Sequence, residues 1–479
     1  MNWTYVSLGL YFLLMIGIGL YAWRKSTSNS GEYLLGGRQL GPAVTALSAG
    51  ASDMSGWLLL GLPGALYATG LVEAWIGIGL FIGAFANWII VAPRLREQTE
   101  KLGDSLTIPQ FLANRFPDHA SILRIVSAVI IVAFFSVYTA AGLVGGGLLF
   151  QESFADLFNN VSMSDYMLGI WVTGGVVVGY TMFGGFLAVS LTDFVQGCIM
   201  VVALILMPIV ILTNDGGWTA ANATLTNINP EFLSMTQGLT FLGFVSAVTW
   251  GLGYFGQPHI IVRFMAIRSV KDVPIARNIG MIWMGVALLG AIGVGIFGRA
   301  YAAQNGIILE KPETIFILLA NMLFNPLITG FLLAALLAAI MSTISSQLLV
   351  ASSSLTEDFY RLFLRKNASE TEMVNIGRLC VLAVAIIAAF IASDPESKVL
   401  GLVSNAWAGF GAAFGPLILL SLTWKRMTGA GAVAGLIVGA ASVAIWIAMG
   451  WSSEIYEIVP GFILAFAAII LVSNLTKKS

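Results

Sequence analysis

One carboxylate, Asp53, lies inside a long apolar stretch at residues 41–70. A charged side chain near the bilayer centre costs at least about 2.5 kcal/mol on insertion scales, so it usually faces a hydrated cavity or a cation. The residues around it weaken a helix and offer hydroxyls and free carbonyls: Ser48, Gly50, Ser52, Ser55 and Gly56. We therefore expect a helix that is broken at mid-depth, which is how secondary transporters bind coupling ions.

A second apolar segment is interrupted by glycine and proline at residues 249–259. Trp250, Tyr254 and Pro258 recur there at i, i+4 and i+8, so on an α-helix they would share nearly one face. Pro258 has no N–H, which leaves the Tyr254 carbonyl without its helical partner. Such a stripe suits a small ligand with apolar and charged parts, although for the stripe taken alone packing or an interfacial aromatic belt is favoured.

A third segment, 336–349, presents a polar helical face made of Ala339, Ser342, Thr343 and Ser346. Small hard cations prefer oxygen ligands, and carbonyls of a broken helix with hydroxyls of a facing helix would supply them. The alternative is that each hydroxyl bonds the carbonyl four residues earlier on its own helix.

Two further charged residues have two interpretations each. Asp193 begins the predicted sixth span, where it could cap the helix N-terminus or pass an ion to the cytoplasm, and capping is favoured. Arg38 precedes the broken segment, where it could pair with an acidic gate residue or simply hold the cytoplasmic interface, and the second is favoured.

The elements that position these residues are membrane spans. The chain has 479 residues, 58% of them hydrophobic and 10% charged, which indicates an all-α polytopic membrane protein. Spans of about 20 apolar residues give thirteen segments. They cover residues 3–23, 41–70, 72–92, 125–150, 165–188, 193–213, 237–265, 278–301, 314–355, 375–393, 399–424, 428–450 and 455–475. Segment 314–355 is too long for one span, so we expect a loop or short helix at its start and an amphipathic extension at its end.

Charge sets the orientation. With the N-terminus outside and the C-terminus in the cytoplasm, all lysines and arginines fall inside except Arg299, Lys311 and Lys398. The two glycine-interrupted segments lie five spans apart, so we expect two repeats of opposite orientation, spans 2 to 6 and 7 to 11. The predicted organisation is one transmembrane domain over 1–479. It comprises an extra first helix and loop (1–40), repeat 1 (41–213), repeat 2 (236–424), and two extra C-terminal helices with a tail (425–479). Glycine-rich packing seams are the alternative explanation of the two interruptions.

Composition also excludes several classes. The net charge of −1 argues against nucleic acid, no phosphate-binding loop motif occurs, and two cysteines, Cys198 and Cys380, cannot build a metal cage. We expect a transporter rather than an enzyme, with the lipid bilayer as its environment and no obligatory protein partner. A passive channel and a membrane subunit of a cation-pumping complex are rival classes, but the second would show several charged relays or haem-ligating histidines within the membrane.

Long motifs resemble the sodium/solute symporter family, and within it the bacterial proline-transporting branch. They are LGGRQLGPAVTALSAGASDMSGWLL, GGFLAVSLTD, WGLGYFGQPHIIVRFMA, LLAAIMSTIS and GLVSNAWAGFGAAFGP. The match runs nearly end to end and implies the inverted 5+5 repeat of the leucine-transporter type. It also implies a Na⁺ site formed by the backbone of Ala51, Met54 and Ala339 with the hydroxyls of Ser342 and Thr343, and makes Asp53 a carboxylate essential for Na⁺.

The same resemblance implies Na⁺-coupled uptake of L-proline across the bacterial inner membrane. Ser55 and Gly56 would form the unwound substrate-side backbone, and Trp250, Tyr254 and Pro258 the opposite wall of the pocket. Tyr138 resembles a cavity residue, Asp193 part of the inward release path, and Arg38 a gate residue. Pantothenate, another amino acid or a short organic acid are alternative substrates, because the shape of a pocket chooses the solute within a fold.

Overall fold

A computed structural model describes residues 3–25, 28–155, 162–214 and 216–476. Within these ranges the chain is helical, and the one β-type contact is an isolated bridge between Leu40 and Ile267. The first ten α-helices are α1 (Trp3–Lys25), α2 (Ser30–Leu35), α3 (Pro42–Asp53), α4 (Leu62–Thr69), α5 (Ala74–Ile90), α6 (Ala92–Lys101), α7 (Ile108–Arg115), α8 (Ala120–Ser153), α9 (Asp165–Asn214) and α10 (Gly217–Ile228). The others are α11 (Phe241–Val248), α12 (Pro258–Ala266), α13 (Val273–Gln304), α14 (Ile315–Leu323), α15 (Pro326–Ser353), α16 (Glu370–Ile391), α17 (Val399–Thr423), α18 (Gly429–Ala448) and α19 (Ile458–Thr476).

The second predicted span is broken, as the sequence indicates. Helix α3 ends at Asp53, and Met54 leaves the helical region with φ −73° and ψ 73°. The chain resumes as a wide π-helical turn over Trp57–Gly61 and continues into α4. The Ser55 N–H bonds the Asp53 carbonyl at 2.8 Å, a tight local turn in place of the helical bond. Carbonyls near the break are therefore released from the helical ladder.

The seventh predicted span is interrupted in a different way. Helix α11 gives way to a 3₁₀ helix over Thr249–Gly256, and α12 starts after Gln257 with Pro258 as its first residue. Proline fits this first position because its missing N–H has no helical partner there. The two interrupted segments are joined at one end by the bridge between Leu40 and Ile267.

Ten helical stretches in the described part are long and apolar enough to span a membrane. Predicted spans 165–188 and 193–213 form one element, α9, which turns at Gly185 with φ 59°. A division of α9 into two spans at this turn places the start of the sixth span near Phe186, seven residues before the predicted start at 193. Segment 314–355 behaves as expected, with the short helix α14, the long helix α15 and a π-helical extension over Ser354–Leu364. The total of thirteen spans stays a prediction.

Burial separates central from peripheral helices. The most apolar window within Pro326–Leu364 is 83% buried and that of Val399–Thr423 is 89% buried, against 28% for Trp3–Lys25 and for Ile458–Thr476. The first and last helices therefore lie at the periphery, while α15 and α17 pack against the interrupted segments. Lys477 and Lys478, which the predicted charge pattern includes, lie outside the described residues.

Candidate ion and substrate site

Oxygen atoms of α3 and α15 meet beside the break. The Ser342 hydroxyl donates to the Ala51 carbonyl at 2.6 Å and lies 3.1 Å from the Ala339 carbonyl. The Thr343 hydroxyl lies 3.5 Å and 3.3 Å from the same two carbonyls. Four of the predicted Na⁺ ligands are thus neighbours in a buried space. Back-bonding within α15 and contact with α3 occur together, so the two interpretations of this polar face are compatible.

The Asp53 carboxylate faces another side of α3. It is 2% exposed, and its Oδ2 accepts a hydrogen bond from the Tyr254 hydroxyl. Its backbone carbonyl accepts from the Trp57 indole N–H at 3.1 Å, which ties the two halves of the broken span together. Asp53 therefore links the break in the second span to the 3₁₀ segment of the seventh.

The predicted aromatic stripe does not form one face. A 3₁₀ helix has three residues per turn, so residues four apart diverge, and the expectation of a shared α-helical face is wrong. Trp250 lines a large cavity at one end of the molecule, which we call the vestibule. Its ring stacks on the ring of Tyr456, with the two centroids 5.0 Å apart. Tyr254 points instead to Asp53, and Pro258 borders a separate small cavity beside Phe186. The three residues follow one another along one segment, but their side chains lie in three different environments.

The two residues predicted to face the substrate, Ser55 and Gly56, lie where the second half of the broken span begins. Ser55 is buried in the non-helical link, its Oγ lies 3.4 Å from the Trp57 N–H, and Gly56 already has helical angles. Tyr138 of α8 is 1% exposed, and its ring meets the ring of His259 edge-on at 5.7 Å. Within the described part of the chain, the Tyr138 hydroxyl has no hydrogen-bond partner. Unpartnered polar groups in a buried layer are suited to a polar ligand.

Asp193 does not cap a helix. It lies inside α9, fully buried, and its Oδ2 is 3.1 Å from Nη2 of Arg263 and accepts from the Ser48 hydroxyl at 2.7 Å. The same guanidinium donates to Ser346 at 2.6 Å and to Ser48 at 3.0 Å. The favoured capping role is therefore wrong. The ion pair and its two serine partners join four helices: α3, α9, α12 and α15. They lie next to the oxygen cluster, which is the group formed by the carbonyls of Ala51 and Ala339 and the hydroxyls of Ser342 and Thr343.

Arg38 pairs with an acidic side chain, as in the less favoured of its two interpretations. Its Nε donates to Asp104 at 2.7 Å, and its Nη atoms donate to the carbonyls of Met265 and Ser105, each at 2.7 Å. Arg96 adds a bond to the Ile267 carbonyl at 2.6 Å. With the bridge between Leu40 and Ile267, these contacts close one end of the molecule.

The other end contains a vestibule of about 710 Å³. Acidic and basic side chains line its mouth, among them Glu73, Lys311 and Lys398, and Trp250 lines its wall. Glu313 accepts the backbone N–H groups of Val399 and Leu400 at 3.1 Å, which places a carboxylate at the N-terminus of α17. One end of the bundle is thus open and the other closed.

A family model for the sodium:solute symporter family matches residues 33–439, most of the chain. The chain belongs to this family. Among curated relatives of this symporter, the high-affinity proline transporter PutP of Bacillus subtilis is 57% identical, covering 97% of this chain and 96% of that protein. The osmoregulated proline transporter OpuE of the same organism is 54% identical (99% and 95%), and a sodium/proline symporter of Staphylococcus aureus is 52% identical (100% and 94%).

Solved structures share the fold of this symporter. A Na⁺-coupled sialic acid symporter in a substrate-bound outward-open state superposes with a TM-score of 0.82 at 18% identity, covering 99% of this chain and 98% of that one. Mhp1, a nucleobase-cation-symport-1 family transporter, gives 0.58 at 14% identity, covering 95% and 97%. These neighbours have the leucine-transporter fold, so that part of the fold prediction is confirmed.

Two residues that sequence reasoning did not single out shape the symporter's site. Arg263 entered only as a positive charge near a predicted cytoplasmic boundary, yet it is 1% exposed and pairs with Asp193. Trp407 donates its indole N–H to the Trp250 carbonyl at 2.7 Å and meets the Tyr254 ring edge-on at 5.0 Å. A charge inside the predicted span 237–265 was the available signal for Arg263, but its partner Asp193 is 70 residues away and no local pattern connects the two.

Proposed function

We propose that this symporter imports L-proline into the bacterial cell together with Na⁺, by alternating access. The observation that carries the proposal is the cluster of hydroxyl and carbonyl oxygens beside a helix break, in a family member whose close relatives are named as proline transporters. Hard monovalent cations are bound by such oxygens, and a broken helix is the usual place for them in transporters.

The proposed Na⁺ ligands are the carbonyls of Ala51, Met54 and Ala339 with the hydroxyls of Ser342 and Thr343. The close approach of both hydroxyls to the Ala51 carbonyl supports this set. The ion would hold α3 against α15 and so favour the conformation in which the break is formed, because a ligand shifts an equilibrium towards the state that it binds better. Asp53 would act from the opposite side of α3 by fixing the break.

Proline would bind between the break and the vestibule. Its carboxylate would lie near Ser55 and Gly56, where the second half of the broken span begins and its N–H groups favour an anion. Its ring would pack among the aromatic side chains of Tyr138 and Tyr254, with Trp250 on the side of the vestibule. Pro258 would contribute by ending the 3₁₀ segment that carries the two aromatic residues.

We further propose thirteen spans, with repeats at 41–213 and 236–424. Ten long apolar helices, the turn at Gly185 that divides α9, and the two interrupted pairs α3/α4 and α11/α12 support this number. The closed end would face the cytoplasm, with the N-terminus outside. Arg38 and Arg96 meet at that end, whereas Lys311 and Lys398 line the vestibule, which agrees with the positive-inside rule.

With this orientation, the conformation with an open vestibule would be open outwards. Import requires the contacts of Arg38, Arg96 and the Asp193–Arg263 pair to separate as the vestibule closes. One inward charge at about 100 mV contributes roughly 2.3 kcal/mol. A tenfold Na⁺ gradient adds about 1.4 kcal/mol. Together these terms support several-hundred-fold accumulation of proline if one Na⁺ accompanies each molecule.

Purified protein in liposomes tests the proposal. Labelled proline should accumulate only with an inward Na⁺ gradient, should saturate, and should increase with a negative interior potential. Equilibration without accumulation would indicate a passive channel. A competition series with other amino acids, pantothenate and short organic acids identifies the substrate, and preference for one of these over proline would contradict the proposal while leaving Na⁺ coupling intact.

A further inference from the structure

A small cavity with buried walls lies between α3, α5 and α12, beside the break at Met54. Its volume is about 20 Å³, and Asp53 and Tyr254 line it together with Asn87 of α5. Asn87 is 1% exposed and lies in the interior of the helix. About 10 to 15 Å³ suffices for one water molecule, so this cavity holds a single water or nothing.

Two oxygen atoms of these side chains lack a hydrogen donor. Oδ2 of Asp53 accepts from Tyr254, but Oδ1 of Asp53 and Oδ1 of Asn87 have no hydrogen-bond partner among the described residues. A buried carboxylate oxygen without a donor is costly, and more so in a membrane interior. The amide of Asn87 carries two N–H donors as well as its oxygen, so a side chain that lines the same cavity as Asp53 can supply the missing donor.

Helix α5 holds Asn87 in a fixed place. One turn earlier, a Cβ atom on Gly83 would overlap the backbone of Gly251, so the two segments pack backbone against backbone. On the next residue, the Trp88 ring packs on Phe264 of α12 with centroids 4.6 Å apart. The close packing of α5 against the 3₁₀ segment therefore fixes the position of Asn87 relative to Tyr254, which donates a hydrogen bond to Asp53.

We propose that Asn87 is a positioning residue for Asp53, and that its amide donates to Oδ1 directly or through the one water that the cavity holds. This inference rests on the proposed Na⁺ coupling. Asp53 lies between Ala51 and Met54 in the chain, so fixing both of its carboxylate oxygens fixes the direction of the carbonyls proposed to bind Na⁺. Asn87 lines neither the vestibule nor the oxygen cluster, so its loss weakens Na⁺ binding with little direct effect on proline.

The test replaces Asn87 and measures Na⁺ and proline separately in purified protein. Asn87→Leu has a similar size and no donor, and we expect its half-saturating Na⁺ concentration to rise about tenfold, the size of one hydrogen bond to a charged group. The KM for proline at saturating Na⁺ should stay within about twofold, because Asn87 is not among the residues proposed to contact proline and Tyr254 keeps its bond to Asp53. Asn87→Ser, which keeps a donor, should regain most of the Na⁺ affinity. Ile89→Ala, a lipid-facing change on α5 at 43% exposure, is the matched control.

A readout without transport is Na⁺ protection against thermal unfolding in detergent, with no proline present. The Na⁺ concentration for half-maximal protection should shift by the same factor. In the Asp53→Asn background, Asn87→Leu should add no further shift, because Asn87 acts through Asp53. A Na⁺ midpoint of Asn87→Leu within about twofold of wild type, or an additive shift in the double variant, would overturn the proposal.

If Asn87→Leu does not assemble, Asn87→Met carries the same expectation. A wild-type protein without Na⁺-dependent protection or uptake contradicts the proposed function itself. A wild-type protein with normal Na⁺ dependence and an unaffected Asn87→Leu contradicts only the positioning role.

Discussion

At the scale of single residues, Ser342 and Thr343 offer the most direct test of the ion site. Both hydroxyls approach the Ala51 carbonyl. Removing one ligand oxygen from a Na⁺ site should raise the half-saturating Na⁺ concentration about tenfold or more for Ser342→Ala or Thr343→Ala. Uptake of labelled proline at varied Na⁺ concentrations measures this.

Ser353→Ala is the matched control on the same helix. Among the described residues, its hydroxyl bonds the Leu349 carbonyl alone, one turn away on α15, at 2.7 Å. It should leave the Na⁺ dependence unchanged. Unaltered Na⁺ affinity in both Ser342→Ala and Thr343→Ala would contradict the assigned site, whatever the maximal rate.

The buried pair of Asp193 and Arg263 predicts a stability effect. Arg263→Gln removes the positive charge that pairs with the Asp193 carboxylate, which is 0% exposed. Breaking a buried ion pair in this way lowers the free energy of unfolding by about 3–5 kcal/mol. Thermal unfolding in detergent should therefore occur at a clearly lower temperature. The double variant Asp193→Asn/Arg263→Gln should regain most of the loss, because no charge is left without a partner.

A surface pair supplies the comparison. Lys101 and Glu97 lie 2.5 Å apart with both side chains largely exposed, so Lys101→Ala should not change the unfolding temperature measurably.

For the buried pair, the double variant Asp193→Asn/Arg263→Gln decides the cause. If it is no more stable than Arg263→Gln alone, the arginine acts through Ser48 and Ser346 rather than through Asp193.

The sequence predicted polar residues better than their partners. Asp53, Ser342 and Thr343 stood out because a charge or a polar face is unexpected in an apolar segment. The pairing of Asp193 with Arg263 and the shared cavity of Asp53 and Asn87 depend on which helices touch, and no local pattern encodes that. Asp193 was assigned to a helix end for the same reason, since the position of Gly185 as the turning point was not identified.

At the scale of elements, the contact of α5 with the 3₁₀ segment should be sensitive to a single methyl group. A Cβ on Gly83 would overlap the backbone of Gly251, and backbone cannot move aside as a flexible side chain does. Gly83→Ala should therefore shift the segment that carries Tyr254 and reduce proline uptake severely. Gly175→Ala on α9 has nothing within 4 Å of the new atom and should transport normally. Equal uptake by the two variants at equal membrane levels would contradict the packing.

Element types could be predicted only where the cause is local. The break at Met54 and Ser55 follows from the glycines and serines around it, and the short helix before α15 follows from segment length. The 3₁₀ winding of Thr249–Gly256 has tertiary causes as well, since a Cβ on Gly253 would overlap the Trp407 indole. An α-helical stripe was therefore the natural but wrong expectation for Trp250, Tyr254 and Pro258.

At the scale of the whole molecule, the interrupted segments connect the two ends. Helices α4 and α11 border the vestibule, and α3 and α12 carry Ser48 and Arg263 of the buried network. At the proposed site, an ion that orders the break would act on segments that reach both ends of the molecule, and this would couple Na⁺ binding to the opening of the vestibule.

Labelling of introduced cysteines distinguishes which end of the molecule opens to which side of the membrane. In a background with Cys198 and Cys380 replaced by alanine, Ser404→Cys lies in the vestibule wall and Lys366→Cys lies exposed beyond the π-helical extension. A membrane-impermeant maleimide added to intact cells should label Ser404→Cys and leave Lys366→Cys unlabelled until the membrane is permeabilised. Na⁺ with proline should slow labelling of Ser404→Cys, because the bound substrates favour states in which the vestibule is closed. Labelling of Lys366→Cys in intact cells would reverse the proposed orientation, and a rate at Ser404→Cys that ignores both ligands would contradict the vestibule as the entry path.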